Sequence, residues 1–157
     1  MVSMITLAHL KLRESAPEVS FVQNYPGGVK TGLIRGDEGF AMQVSKYVFP
    51  LLLRLGVIPR VSEEECGERQ AYNCTSGMYP SDAGGEVNGV PRVETVKVAP
   101  GVDGKKGSGV YSNFWDGECG MRETERYVRE HTEAGLGHKL WEHTTGEFVR
   151  ITGKTAV

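Results

Sequence analysis

Apolar residues recur at intervals of three and four from Phe40 to Leu55, where Val44, Tyr47, Val48, Leu51 and Leu52 complete one stripe. That period predicts a helix over 40–55, with Pro50 removing a backbone donor inside it and Gly56 ending it. A looser spacing, Met4, Leu7, Ala8, Leu10 and Leu12, predicts a helix over 3–14 that stops before Pro17. Ser62 followed by Glu63, Glu64 and Glu65 is a capping-box pattern. The Ser hydroxyl accepts from the third amide while Glu65 reaches back to the cap, which starts a helix over 62–76. Two further helices are predicted over 121–134, where Glu125 and Arg129 stand at i, i+4, and over 138–151, with Leu140, Trp141 and Phe148 on its buried side.

Extended segments are fewer. Val19, Phe21 and Val22 open a β-rich run over 19–24 that leads into the turn Tyr25-Pro26-Gly27-Gly28. Residues 93–98 alternate Val with Glu, Thr and Lys, residues 109–115 form a second extended run, and Asp103-Gly104 offers a turn between them, so a β-hairpin is expected there. Between them and the third helix, residues 77–93 are rich in Gly, Pro, Ser, Asp and Asn, which predicts a surface loop. No internal repeat divides the chain, and 1–157 reads as a single domain of α/β class.

The 157 residues are 39% apolar and 24% charged, enough to close a core and too apolar for a disordered tail. Eighteen basic against twenty acidic residues, scattered to a net charge of -2, provide no basic stripe, so nucleic acid is not an expected partner. The uncharged stretch 47–53 has seven residues against the roughly 20 of a bilayer span, so no membrane span is expected. Lys11, Arg13 and Glu14 follow the first apolar residues with no small-residue cleavage site, unlike a signal peptide, and a cytoplasmic location is expected. Cys66, Cys74 and Cys119 form no C-x-x-C pair, which fits reduced thiols.

Several motifs fail the spacing their chemistry requires. Gly101-Val102-Asp103-Gly104-Lys105-Lys106 lacks the glycine gap and the hydroxyl after Lys of a phosphate-binding loop, and Gly107-Ser108-Gly109-Val110-Tyr111-Ser112 has Ser where a dinucleotide fingerprint needs its third glycine. His138 and His143 are five apart and so point about 140° apart on a helix; with His9 and His131 they make no ligand set, and no metal is expected. His143 and Glu147 stand at i, i+4 and read as a surface pair, and Cys66 in the first turn of its helix reads as a small half-buried residue.

The turn after residues 19–24 carries more. A strand ending in Pro26-Gly27-Gly28-Val29-Lys30-Thr31 resembles the segment after the sixth strand of short-chain dehydrogenases/reductases, a family of Rossmann-like fold. The order that follows resembles a fungal-type branch of that family, often found beside secondary-metabolite pathways. It comprises the segment between Gly32 and Gly39, two helices, the Gly-rich run at 106–112 and the closing Leu140-Trp141-Glu142-His143-Thr144. The resemblance covers nearly the whole chain but only the family's C-terminal part. It implies a fold of one short strand, helices and a C-terminal hairpin, completed by self-association or by pairing with another chain. It further implies NAD(P) as cofactor, a small-molecule substrate, and Pro26, Gly27, Val29 and Thr31 as the nicotinamide-side loop.

The family's adenine-side Gly-rich turn and its Tyr-x-x-x-Lys pair fall outside the matched part. None of Tyr25, Tyr47, Tyr72, Tyr79, Tyr111 and Tyr127 has a Lys four positions later. The implied function is therefore a truncated relative of an NAD(P)-dependent oxidoreductase that does not reduce substrate alone. Two alternatives stand beside it: a cofactor-independent binding protein or isomerase, with a pocket between the 40–55 helix, Trp115 and Trp141 and with Tyr25, His138 and His143 as acid-base candidates, or a non-catalytic assembly subunit.

Overall fold

The computed structural model describes residues 4–29, 39–57, 60–84, 95–117, 119 and 122–155. Among them the element order is α1 Met4–Ser15, β1 Phe21–Asn24, β2 Gly28–Val29, α2 Gly39–Arg54, β3 Arg60–Val61, α3 Glu63–Thr75, β4 Val110–Asn113, α4 Arg122–Glu133 and α5 Leu136–Thr152. β1 and β4 run parallel, with Phe21 opposite Val110 and Asn24 opposite Asn113. Parallel strands need a long crossover, and the chain from α2 through α3 supplies it. β2 and β3 form a second, two-residue parallel pair, Gly28 opposite Arg60 and Val29 opposite Val61. The organisation is thus α/β, with helices beside small parallel sheets.

Side chains alternate across β1 and β4 and feed two cores. Tyr111, with Val22, meets Tyr79, Ala99, Met78 and Cys119 on one face. Val110, with Phe21, meets Val102, Val128 and Leu10 on the other. Arg13 ties the end of α1 to the approach to β4: its Nη1 donates to the Ser108 carbonyl at 2.8 Å and pairs with Asp103 at 3.2 Å. α5 lies along α1, and α4 leans against both.

Three expectations need correction. Among the described residues the hairpin between 93–98 and 109–115 does not form: residues 95–99 hold no strand, residues 93 and 94 lie outside the described residues, and one antiparallel bridge, Pro100 to Lys106, closes around the turn at Asp103 and Gly104. Gly109 takes a φ of 77°, which breaks the extended run and redirects Val110–Asn113 toward β1, where both faces are covered. The single strand expected over 19–24 is therefore one of several, and β4 occupies one of its edges.

The second concerns not the loop over 77–93, whose described residues 77–84 hold no helix or strand, but the exposure of its side chains. Tyr79 and Ser81 are buried, because the Tyr79 ring packs 5.3 Å from Tyr111 and the Tyr111 hydroxyl donates to the Pro80 carbonyl at 2.6 Å. Residues 85–93 of that stretch lie outside the described residues.

The third concerns helix surfaces. α3 begins on Ser62, whose Oγ accepts from the Glu65 amide at 3.1 Å, but the Glu65 carboxylate takes Arg69 at 2.6 Å. On α4 the pair is Arg126 with Glu130 at 3.8 Å, and on α5 Glu147 pairs with Arg150 at 2.8 Å, not with His143. In each case the charged tips choose the partner their helix face allows. α5 also buries less than its pattern suggests, with Leu140 and Trp141 half-buried and Phe148 exposed. Tyr47 and Leu51 of α2, and Leu55 just after it, are exposed as well. Among the described residues no helix is long and apolar enough to cross a membrane.

Candidate functional site

In open α/β sheets, ligands bind in the crevice outside the carboxyl ends of the strands. Here β1 and β4 end level with one another, at Asn24 and Asn113, and the Tyr25 amide extends the ladder by donating to the Asn113 carbonyl at 3.0 Å. A cavity of about 480 Å³ opens at that edge, lined by Asn24, Asn113, Tyr79 and Phe114 and by Arg69 and Tyr72 of α3. The capped start of α3 fixes its register, so that Arg69, Tyr72 and Asn73, at i, i+3 and i+4, share the face turned to the crevice.

Asn113 is the buried hub of this site. Its Nδ2 donates to Asn73 Oδ1 at 3.0 Å and to the Tyr79 hydroxyl at 2.9 Å, while its Oδ1 accepts from the Cys119 thiol. Burial, then the neighbouring Cys119, pushes the Tyr79 hydroxyl well above the ordinary tyrosine range, so it stays protonated. On α3, Glu65 holds one guanidinium nitrogen of Arg69, and the buried Nη1 has no acceptor among the described residues. The site is equipped to bind and orient oxygen-bearing groups. Asn113 and the neutral Tyr79 offer no acid-base partner near neutral pH, but the carboxylates of Glu68 and Asp116 and the Tyr72 phenol line the same cavity.

The Pro26-Gly27 turn leaves the sheet beside this crevice. Gly27 has a φ of 76°, Gly28 is buried in β2, and Val29 is fixed by pairing with Val61. Thr31 lies outside the described residues. Tyr25 is exposed and rests its ring 5.5 Å from Phe114. His138 and His143 lie exposed on α5, His138 beside Glu142 at 3.2 Å, and no described contact joins either of them to Tyr25. The crevice is not lined by the described residues of α2, by Trp115 or by Trp141. No cluster of metal-ligating side chains occurs among the described residues.

Sequence reasoning missed Asn24, Arg69, Tyr72, Tyr79 and Asn113. The i, i+3, i+4 spacing of the α3 residues was visible, and so was an asparagine closing each β run. What was not visible was that the two runs pair.

No family model matches the chain, and no solved structure does. Two curated fungal proteins are similar to it. Oxidoreductase AN1596 of Emericella nidulans is 31% identical over 143 residues, 91% of this chain and 41% of that protein. Oxidoreductase andH of Emericella variicolor is 27% identical over 153 residues, 96% of this chain and 43% of that protein. Over most of its length the chain is thus related to fungal proteins named oxidoreductases, and it spans less than half the length of each.

Proposed function

We propose that these 157 residues form the carboxyl-terminal, substrate-side part of an NAD(P)-dependent short-chain oxidoreductase and do not catalyse reduction by themselves. The observation that carries this reading is the level ending of two parallel strands at Asn24 and Asn113, with the Pro26-Gly27 turn leaving at the same edge. The similarity to two proteins named oxidoreductases supports it. The turn suits a flat ligand, because Gly27 brings backbone forward with no side chain. Pro26, Gly27 and Val29, with Thr31, would hold the nicotinamide end; the chemistry a nicotinamide cofactor supplies when bound is hydride transfer. Asn24, Arg69 and Tyr72 would orient the substrate, and Tyr79 and Asn113 would hold the floor of the cavity rigid. A Tyr-x-x-x-Lys pair to protonate the developing alkoxide is not among these groups.

Among the described residues β1 is paired on one edge, where the Phe21 and Tyr25 amides donate to the Gly109 and Asn113 carbonyls. The opposite edge suits a further strand, from a second copy or from a longer chain.

The test is a titration with NADPH and NADH followed by nicotinamide fluorescence, with mass by size exclusion on the same sample. The 157-residue chain is expected to show no saturable binding and no turnover. Fusion to the amino-terminal part of the Emericella nidulans relative is expected to restore both. Turnover by the chain alone, or failure of a folded fusion to bind, would overturn the reading.

A further inference from the structure

A second cavity, of about 450 Å³, lies among α1, α4 and α5, beside the core face of Val110, whereas the crevice lies against that of Tyr111. Its cause is legible in α4. The face that α4 turns to α1 carries Glu125, Val128, Arg129 and Thr132, so Val128 is the one large apolar side chain available to meet Leu7 and Leu10. The result is an apolar floor under a charged wall. A gap lined by leucine and valine is costly to leave unfilled, and a pocket of this size with a few convergent polar groups is the usual form of a small-molecule site.

The charges on the wall narrow the ligand. Lys11 is taken by Glu14 at 2.9 Å, Arg13 by Asp103 at 3.2 Å, and His138 by Glu142 at 3.2 Å. Glu125 and Arg129 stand one helical turn apart, a spacing at which opposite charges ordinarily pair. Among the described residues neither is in an ion pair, and both line the cavity. Arg129 and Glu133 are exposed at the rim, towards and at the α4–α5 elbow, whereas Glu125 is half-buried; Glu14 and Asp103, the remaining carboxylates of the wall, are held by Lys11 and Arg13. A ligand that met both unpaired groups would present an ammonium to Glu125, a carboxylate to Arg129, and an apolar body to Leu7, Leu10 and Val128.

We propose that this cavity is a binding site for a small zwitterion with an apolar body, an α-amino acid bearing a large apolar or aromatic side chain. The site does not depend on the crevice at Asn24 and Asn113 or on the nicotinamide reading.

The test uses the full 157-residue chain, titrated by calorimetry with L-phenylalanine, with hydrocinnamate (no ammonium) and with phenethylamine (no carboxylate). Saturable binding of phenylalanine is expected, with each analogue weaker by about tenfold or more, the scale of one lost charge-assisted contact. Glu125→Gln and Arg129→Gln should each weaken phenylalanine by a similar factor while leaving the melting curve in place. Leu10→Trp, which fills the floor, should abolish binding without abolishing the cooperative melt. Absence of saturable binding, binding of either analogue as tight as that of phenylalanine, or wild-type affinity in either charge variant would overturn the proposal.

Discussion

Asn113 donates its carboxamide to the Tyr79 hydroxyl at 2.9 Å, joining the end of a strand to a segment 34 residues earlier with both partners buried. The same nitrogen donates to Asn73, so one amide pins the crevice floor to α3. Asn113→Leu keeps approximate volume but leaves the buried Tyr79 hydroxyl and the half-buried Asn73 carboxamide oxygen without their donor, and is expected to cost about 2–3 kcal/mol. Tyr79→Phe, which removes one acceptor only, should cost about 1 kcal/mol. Urea unfolding of both variants checks the order.

Tyr111 is fully buried, and burial pushes its hydroxyl up to about 12. The unfolded chain releases that proton near pH 10, the folded chain only at higher pH. The stability involved is therefore whole below pH 10 and lost as pH rises toward 12. Tyr79 is shifted in the same direction and adds to the loss. Tyr111→Phe should be less stable than the wild type by about 1–3 kcal/mol at neutral pH, because the Pro80 carbonyl loses its donor. That gap should narrow from pH 10 upward, which denaturant midpoints at successive pH values would show.

At the acid side the corresponding group is His9, stacked 5.4 Å from Phe21 and lowered by burial below its ordinary value of 6.5. A histidine held neutral when folded binds its proton first in the unfolded chain. The stability involved is present above about pH 6.5 and lost as pH falls through the folded value. His9→Phe keeps the stacking and cannot take up a proton. Its melting temperature should gain on the wild type between pH 6.5 and 5, while the two stay parallel above pH 7.

Gly101 is set by sterics. A β-carbon there would fall on the Ser108 hydroxyl and lie 2.8 Å from the Val110 carbonyl oxygen. Gly101→Ala should cost about 1–3 kcal/mol by overpacking. Adding Ser108→Gly removes the side-chain clash but not the backbone one, so the double variant should regain part of the loss rather than all of it.

How much of this was readable depended on sequence separation. α3 was predicted to within a residue because Ser62 and Glu65 act through a local hydrogen bond, and α1 and α2 because their periods are local too. The pairing of Phe21–Asn24 with Val110–Asn113 was not readable. A parallel partner nearly 90 residues away leaves no mark comparable to a turn, whereas Val96, Val98 and Asp103-Gly104 imitate a hairpin. The burial of Tyr79 was hidden for a related reason, since its Gly-, Pro- and Ser-rich neighbours describe backbone turns and say nothing about the ring between them. The crevice depends on these two non-local facts. Its floor went unrecognised while its adjoining turn, Tyr25-Pro26-Gly27, stood out.

That turn offers a way to separate conformation from recognition. Gly27 sits at a φ of 76°, which an alanine adopts at a cost of about 1–2 kcal/mol and an asparagine at less, because its short polar side chain bonds locally. If Gly27 serves only to turn the chain, Gly27→Asn should restore most of what Gly27→Ala loses, in stability and in nicotinamide binding by the fusion alike. If the bare backbone is what meets the nicotinamide, the two readouts should part. Asparagine would recover the melting temperature yet bind as poorly as alanine, because any side chain at this point occupies the ligand's place. The proposed function predicts the second outcome, read from melting curves and fluorescence titrations of the same two variants.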